Sequence, residues 1–153
     1  MDKKKILAKR VNIVSLKLVK ESSVLYETRK IKSPYDAYKL IKNFLVDSDR
    51  EKFVVACLDA KNQPTSIQVV SIGSVSTAII HPREVFKVAV LSNASKIICF
   101  HNHPSGNITY SKEDENITNR LKECGEILGI ELVDHIIVGD NDTYFSFKEN
   151  CKM

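Results

Sequence analysis

The chain has 153 residues, a length that one ordinary domain fills with a core of its own. With 43% hydrophobic residues, 5 Gly and 4 Pro it reads as globular, which excludes a disordered or fibrous chain. The formal net charge of +4 is mild: it permits a loose affinity for nucleic acid, but a solvated surface with a lysine-rich end accounts for it.

Met1-Asp2-Lys3-Lys4-Lys5 is not followed by the apolar run of a secretory leader, and no stretch approaches the roughly 18 apolar residues of a membrane helix. Residues 11–19 alternate apolar and polar, and residues 23–31 form a candidate hairpin partner. This predicts a strand extension over residues 1–32, ahead of a main domain over residues 33–153. Ser33-Pro34 marks a helix start, with Tyr38, Ile41 and Leu45 as its stripe, joined by Ala37 and Phe44; residues 47–50 break the pattern.

Glu51 opens a strand over residues 53–58 whose continuous apolar character predicts burial on both faces. A turn over residues 59–64 leads to a second strand, 66–72, ending at Gly73. Pro82 starts a helix running to about Ala94, with Val85, Phe86, Ala89 and Val90 facing inward. Residues 97–100 form a short strand that runs straight into His101. Residues 111–129 are the clearest helix: Ile117, Leu121, Cys124 and Leu128 recur at helical spacing and Gly129 ends it. A strand over 130–138, a turn at Gly139-Asp140-Asn141-Asp142 and a strand over 143–147 complete the chain. Helices interleaved among largely hairpin-linked strands predict a single α/β (α+β) domain.

Cys57, Cys99, Cys124 and Cys151 are far apart and form no C-x-x-C pair. The first three lie in apolar runs, where a thiol packs as a small hydrophobe, so neither a disulfide framework nor a cysteine zinc knuckle is expected. The cytoplasm is the natural compartment for such a chain.

The chemistry concentrates in His101-Asn102-His103-Pro104-Ser105-Gly106 and the following Ser111-Lys112-Glu113-Asp114. Two imidazoles and a carboxylate fall within fourteen positions, and all three are zinc ligands by chemical type. If the strand stays extended, His101 and His103 project from one face and can meet one ion. Asp114 stands three residues before Ile117, on the inward side of its helix. Each piece also has a structural reading: Ser111-x-x-Asp114 is equally a helix cap with an acid in the first turn. Asn102 falls on the opposite face and reads as a tie for the loop. His135, inside an apolar strand, reads as a buried structural histidine, with a fourth ligand or a partner of a ligand as the lesser alternative. Arg83 reads as a loop anchor, ahead of a substrate contact.

The string H-x-H-P, six residues, S-x-x-D resembles the metal signature of the JAMM/MPN metalloenzymes. Pro82-Arg83-Glu84-Val85-Phe86-Lys87, His101 to Gly106, Asp134-His135-Ile136-Ile137-Val138-Gly139 and Ser146-Phe147 resemble the RadC-like branch of JAB-domain proteins, over residues 34–149. The resemblance implies a curved, barrel-like sheet flanked by helices, with one Zn2+ per chain held by His101, His103 and Asp114. It implies that Glu51 activates water at the zinc and that Ser111 helps stabilise the oxyanion; sequence pattern alone does not choose Glu51 over Glu84 or Glu113. The implied reaction is hydrolysis of a peptide or isopeptide bond in a protein or peptide substrate. The competing expectation is a DNA repair or recombination factor that binds nucleic acid, against which stand the mild charge and the absence of Trp. Longer RadC-like proteins precede the shared region with helix-hairpin-helix sequence. Residues 1–32 do not resemble it, so DNA contacts of that kind are not expected here. The loop Asn107-Ile108-Thr109-Tyr110 also lacks the proline usual before the serine, but keeps its length and so the ligand spacing.

Overall fold

The computed structural model describes residues 6–73 and 80–153. Helix α1 (Pro34–Leu45) begins where Ser33 Oγ accepts the Asp36 amide at 3.2 Å and Pro34 takes the first helical position. The remaining elements are β1 (Lys52–Leu58), β2 (Pro64–Ile72), α2 (Pro82–Leu91), β3 (Lys96–Asn102), α3 (Lys112–Leu128), β4 (Glu131–Val138) and β5 (Tyr144–Ser146). The expected turn between β1 and β2 is built on Asp59, whose carboxylate accepts the amides of Lys61 and Gln63, both at 2.9 Å.

The strands form one sheet in the order β2-β1-β3-β4-β5. The β3–β4 pair is parallel and every other pair antiparallel. A parallel pair needs a long crossover, and α3 supplies it. Among the described residues the sheet is mixed and open, with β2 and β5 as its two edges, and it is flanked by helices as the resemblance implies.

Period-two alternation in the central strands divides the core between two faces. Val54, Ala56, Leu58, Ile98, Phe100, Ile136 and Val138 pack against Ala37, Tyr38, Ile41 and Leu45 of α1. Phe53, Val55, Cys57, Ile97, Cys99 and Leu132 pack on the opposite side against Val85, Phe86 and Ala89 of α2 and Leu121 of α3. Burial on both faces is what the continuous apolar runs of β1 and β3 predict. The β3–β4 register shifts between Ile97, opposite Leu132, and Ile98, opposite Asp134, so β4 carries one extra residue at Val133. In β4, Asp134 accepts from Ser146 Oγ and from the amides of His135 and Lys148, which fastens the chain after β5 to the sheet.

Two expectations are corrected by packing. Val90 points outward from α2 at 57% exposure, because Val85, Phe86 and Ala89 already fill the helix stripe. Residues 11–19 and 23–31 form no strands: residues 6–26 carry no regular secondary structure, and Val11, Ile13, Leu16 and Leu25 are exposed. Alternation supplies only one half of a strand pair, and an isolated two-stranded hairpin is marginal in water. The tail of the segment is fixed where it meets the domain. Ile31 is buried and donates its amide to the Asn62 carbonyl at 2.9 Å, and Tyr26 packs on the α1 side of the core.

All four cysteines are free; Cys57 and Cys99 are buried and Cys151 is exposed. Burial pushes both inner thiols up from their ordinary range, so neither forms a thiolate near neutrality. Titration with a chromogenic disulfide reagent should therefore show Cys151 reacting fast in the native protein, and Cys57 and Cys99 reacting only after denaturation. Fast reaction of a second, buried thiol would contradict this packing.

Candidate metal centre

Strand β3 brings His101 to the sheet end on the face shared by α2 and α3, as the alternation from Ile97 and Cys99 requires. The imidazole is buried and lies parallel to the Phe53 ring, ring centroids 6.3 Å apart. His103 stands just beyond β3, its side chain 17% exposed, with Nδ1 2.7 Å from the Asn107 carbonyl oxygen. The loop that returns to hold it passes through Gly106, whose φ of +77° suits glycine; a Cβ there would collide with the Asp140 carboxylate.

Asp114 enters through the helix start. Ser111 Oγ accepts the Asp114 amide at 3.1 Å and Asp114 Oδ2 accepts the Ser111 amide at 2.8 Å, a complete capping box. The cap and ligand readings of Ser111-x-x-Asp114 therefore hold together. The buried line of α3 is Asp114, Thr118, Leu121 and Gly125, whereas Ile117 and Cys124 are half-buried and Leu128 is 50% exposed. Asp114 faces inward, but the stripe is rotated from the one expected. Gly125 explains the rotation: the start of β4 presses so close that a Cβ would collide with the Ile130 carbonyl.

His101 Nε2 lies 3.1 Å from His103 Nε2 and 3.3 Å from Asp114 Oδ1, and His103 Nε2 lies 3.6 Å from Asp114 Oδ2. Taking one donor atom from each residue, the three lie within 4.8 Å of one another, a group compact enough to surround one metal ion. The donor chemistry fits as well. A carbonyl oxygen only accepts, so His103 Nδ1 carries its proton towards Asn107 and His103 Nε2 presents a lone pair to the Asp114 carboxylate. Lone pairs converging in a mostly buried site require a cation or a proton between them. The pKa directions agree. The Asp114 contact raises His103 against its burial, with the Asn107 carbonyl and the Glu51 charge acting the same way. Burial pushes the Asp114 carboxyl up, but both histidines and the Ser111 amide outweigh it and hold it well below the usual carboxylate range. These three residues can hold a metal ion.

Glu51 reaches the site by register. The β1–β3 ladder ends with Phe53 opposite His101, two residues from Glu51 and from His103, and the Glu51 charge acts on the His103 imidazole. Asn102 fixes this end of the chain: its Oδ1 accepts the Lys52 amide at 2.8 Å and its Nδ2 donates to the Arg50 carbonyl at 3.0 Å. Both peptide groups flanking Glu51 are thereby held. Asn102 secures the start of β1 and not, as expected, its own loop. Glu84 sits on α2 paired with Lys87 at 2.8 Å, and Glu113 is exposed on α3.

Two further residues meet at the centre: Thr118, which the sequence reading does not single out, and His135, for which contact with a ligand is the lesser alternative there. His135 Nε2 lies 2.8 Å from His101 Nδ1, so the histidine taken as structural touches a candidate ligand. Burial holds it well below the usual histidine range, and the His101 imidazole acts in the same direction. Thr118 Oγ1 lies 2.6 Å from His135 Nδ1. The available signal for Thr118 was its place four residues after Asp114, which puts a hydroxyl on the same buried face.

Comparison with known proteins places this arrangement in a family. The RadC-like JAB domain matches residues 31–152. The chain is 52% identical over 121 residues to a UPF0758 protein of Clostridioides difficile, covering 79% of this chain and 51% of that protein. It is 44% identical over 129 residues to a UPF0758 protein of Methanosarcina barkeri, covering 84% and 56% respectively. With a UPF0758 protein of Geobacillus it shares 48% identity over 119 residues, covering 78% and 52%. The chain spans about half the length of the curated relatives it matches. A match over most of the chain, carrying both histidines and the aspartate within its span, shows that this protein belongs to the RadC-like JAB domain family.

Proposed function

We propose that the protein is a zinc-dependent hydrolase of amide bonds. The observation that carries this reading is the convergence of His101, His103 and Asp114, with the Glu51 charge acting on His103. Zinc held by these three residues supplies an acidified water and a Lewis acid for the scissile carbonyl. Glu51 takes the proton from the attacking water and returns it to the leaving amine. The clamp of Asn102 on the peptides either side of Glu51 keeps that carboxylate aimed. Ser111 Oγ accepts the Asp114 amide with a lone pair, which leaves its hydroxyl proton to donate to the oxygen that gains charge.

The substrate is a protein or peptide, cut at a peptide or isopeptide bond. No helix among the described residues is long and apolar enough to cross a membrane. Free thiols at all four cysteines support work in the cytoplasm. The test compares peptide products in cells carrying wild-type or Glu51→Gln protein. The variant should retain zinc and lose the cleavage products, by about 10²-fold or more if Glu51 moves the proton. Unchanged products would remove Glu51 from this role. A salt-sensitive shift of DNA by the protein, with no Glu51-dependent products, would favour the nucleic-acid reading instead.

A further inference from the structure

Three contacts behind His101 link the position of its proton to a threonine hydroxyl. Thr118 Oγ1 lies 2.7 Å from the Asp114 carbonyl oxygen and 2.6 Å from His135 Nδ1. The carbonyl oxygen accepts only, so the single hydroxyl proton of Thr118 is directed to it. The Thr118 oxygen is then an acceptor towards His135, and the proton in that contact belongs to His135 Nδ1. His135 is wholly buried, at 0% exposure, between the rings of Phe53 and Phe147, so it is uncharged and carries only that one proton. Its Nε2 therefore presents a lone pair to His101 Nδ1, 2.8 Å away. His101 must donate there, which leaves its Nε2 bare towards His103 and Asp114.

The opposite arrangement is equally well defined. If Thr118 turned its proton to His135, each imidazole would shift its proton to Nε2, and His101 would present an N–H where a metal needs a lone pair. That arrangement also strips the Asp114 carbonyl of its hydroxyl donor. One threonine, a helical turn beyond Asp114, thus selects between a site that can bind an ion and one that cannot.

We propose that Thr118 and His135 are positioning residues that hold His101 in the tautomer open to a metal ion at Nε2. This rests on the metal-binding reading of His101, His103 and Asp114, and not on any hydrolytic activity. It assigns a purpose to two buried polar residues that neither bind the ion nor meet substrate.

The first measurement is on metal-free wild-type protein. Long-range proton–nitrogen correlation of labelled histidines should show His101 and His135 both protonated at Nδ1. The second is zinc affinity by competition with a chromophoric chelator. Thr118→Val, close in shape but without the hydroxyl, should weaken zinc about 10–100-fold, whereas Thr118→Ser should stay within about threefold of wild type. An Nε2-protonated His101 in the metal-free protein, or wild-type zinc affinity in Thr118→Val, would overturn the proposal. If Thr118→Val does not fold, the tautomer measurement on wild type decides. Wild-type protein that binds no zinc but shows the Nδ1 tautomers would remove the metal reading while leaving the proton chain standing.

Discussion

Wild-type protein loaded with zinc should carry about one ion per chain by elemental analysis, and His103→Ala should carry roughly a tenth of that or less. His103 supplies one of the three ligand atoms, and its removal leaves His101 and Asp114 3.3 Å apart as the remaining protein ligands. Two protein ligands hold zinc far more weakly than three, so the loss should be near complete rather than graded. Acid should act on the same lone pairs. The Asp114 contact raises His103 above its ordinary value in the metal-free protein, so protons compete for it at a higher pH than for a free imidazole. Zinc affinity should therefore fall as the pH drops below the raised His103 value, by about tenfold per unit while one proton is displaced. Full zinc content in His103→Ala would overturn the assignment of the centre.

Phe100→Ala should be the most damaging single truncation in the fold, costing about 3–5 kcal/mol in urea unfolding. Phe100 is fully buried on β3, the middle strand, and faces the α1 side of the core. β3 is paired on both sides, so neither neighbour can slide in to close the cavity. Against a total stability of about 5–15 kcal/mol, such a loss is enough to populate unfolded chain at modest denaturant. A change below about 1 kcal/mol would mean that α1 does not pack on β3 as described.

The elements from α1 to β5 were legible because their signals are local: a Ser-Pro start, apolar runs of strand length, a glycine stop. The residues that converge on the candidate centre were legible for a related reason, since His101, His103 and Asp114 lie within one strand, loop and helix start. What the sequence hid came through distance and register. Glu51 comes close enough for its charge to act on His103 from 52 positions earlier in the chain, through the pairing of β1 with β3, so no spacing marks it. His135 meets His101 across 34 positions and looks like any core residue in an apolar strand. Thr118 was missed because the helix stripe was centred on Ile117 and Cys124, a fraction of a turn from the true buried line. The N-terminal segment shows the converse error: alternation marked a strand, but a strand needs a neighbour, and within the described residues 6–26 pair with none.

The extra residue at Val133 bears on all of this. Ile130 and Leu132 point to the side of α2 and α3, while Ile136 and Val138, an even number of positions further on, point to the side of α1. The added residue between them produces that reversal. Without Val133, Leu132 opposite Ile97 and Asp134 opposite Ile98 would follow one another in an unbroken ladder, and His135, opposite Cys99, would stay on the face of His101. The aim of His135 is therefore set by the pairing of β4 with β3 from Ile98 onward, and the bulge absorbs the one surplus residue that would otherwise put the two halves of β4 out of step.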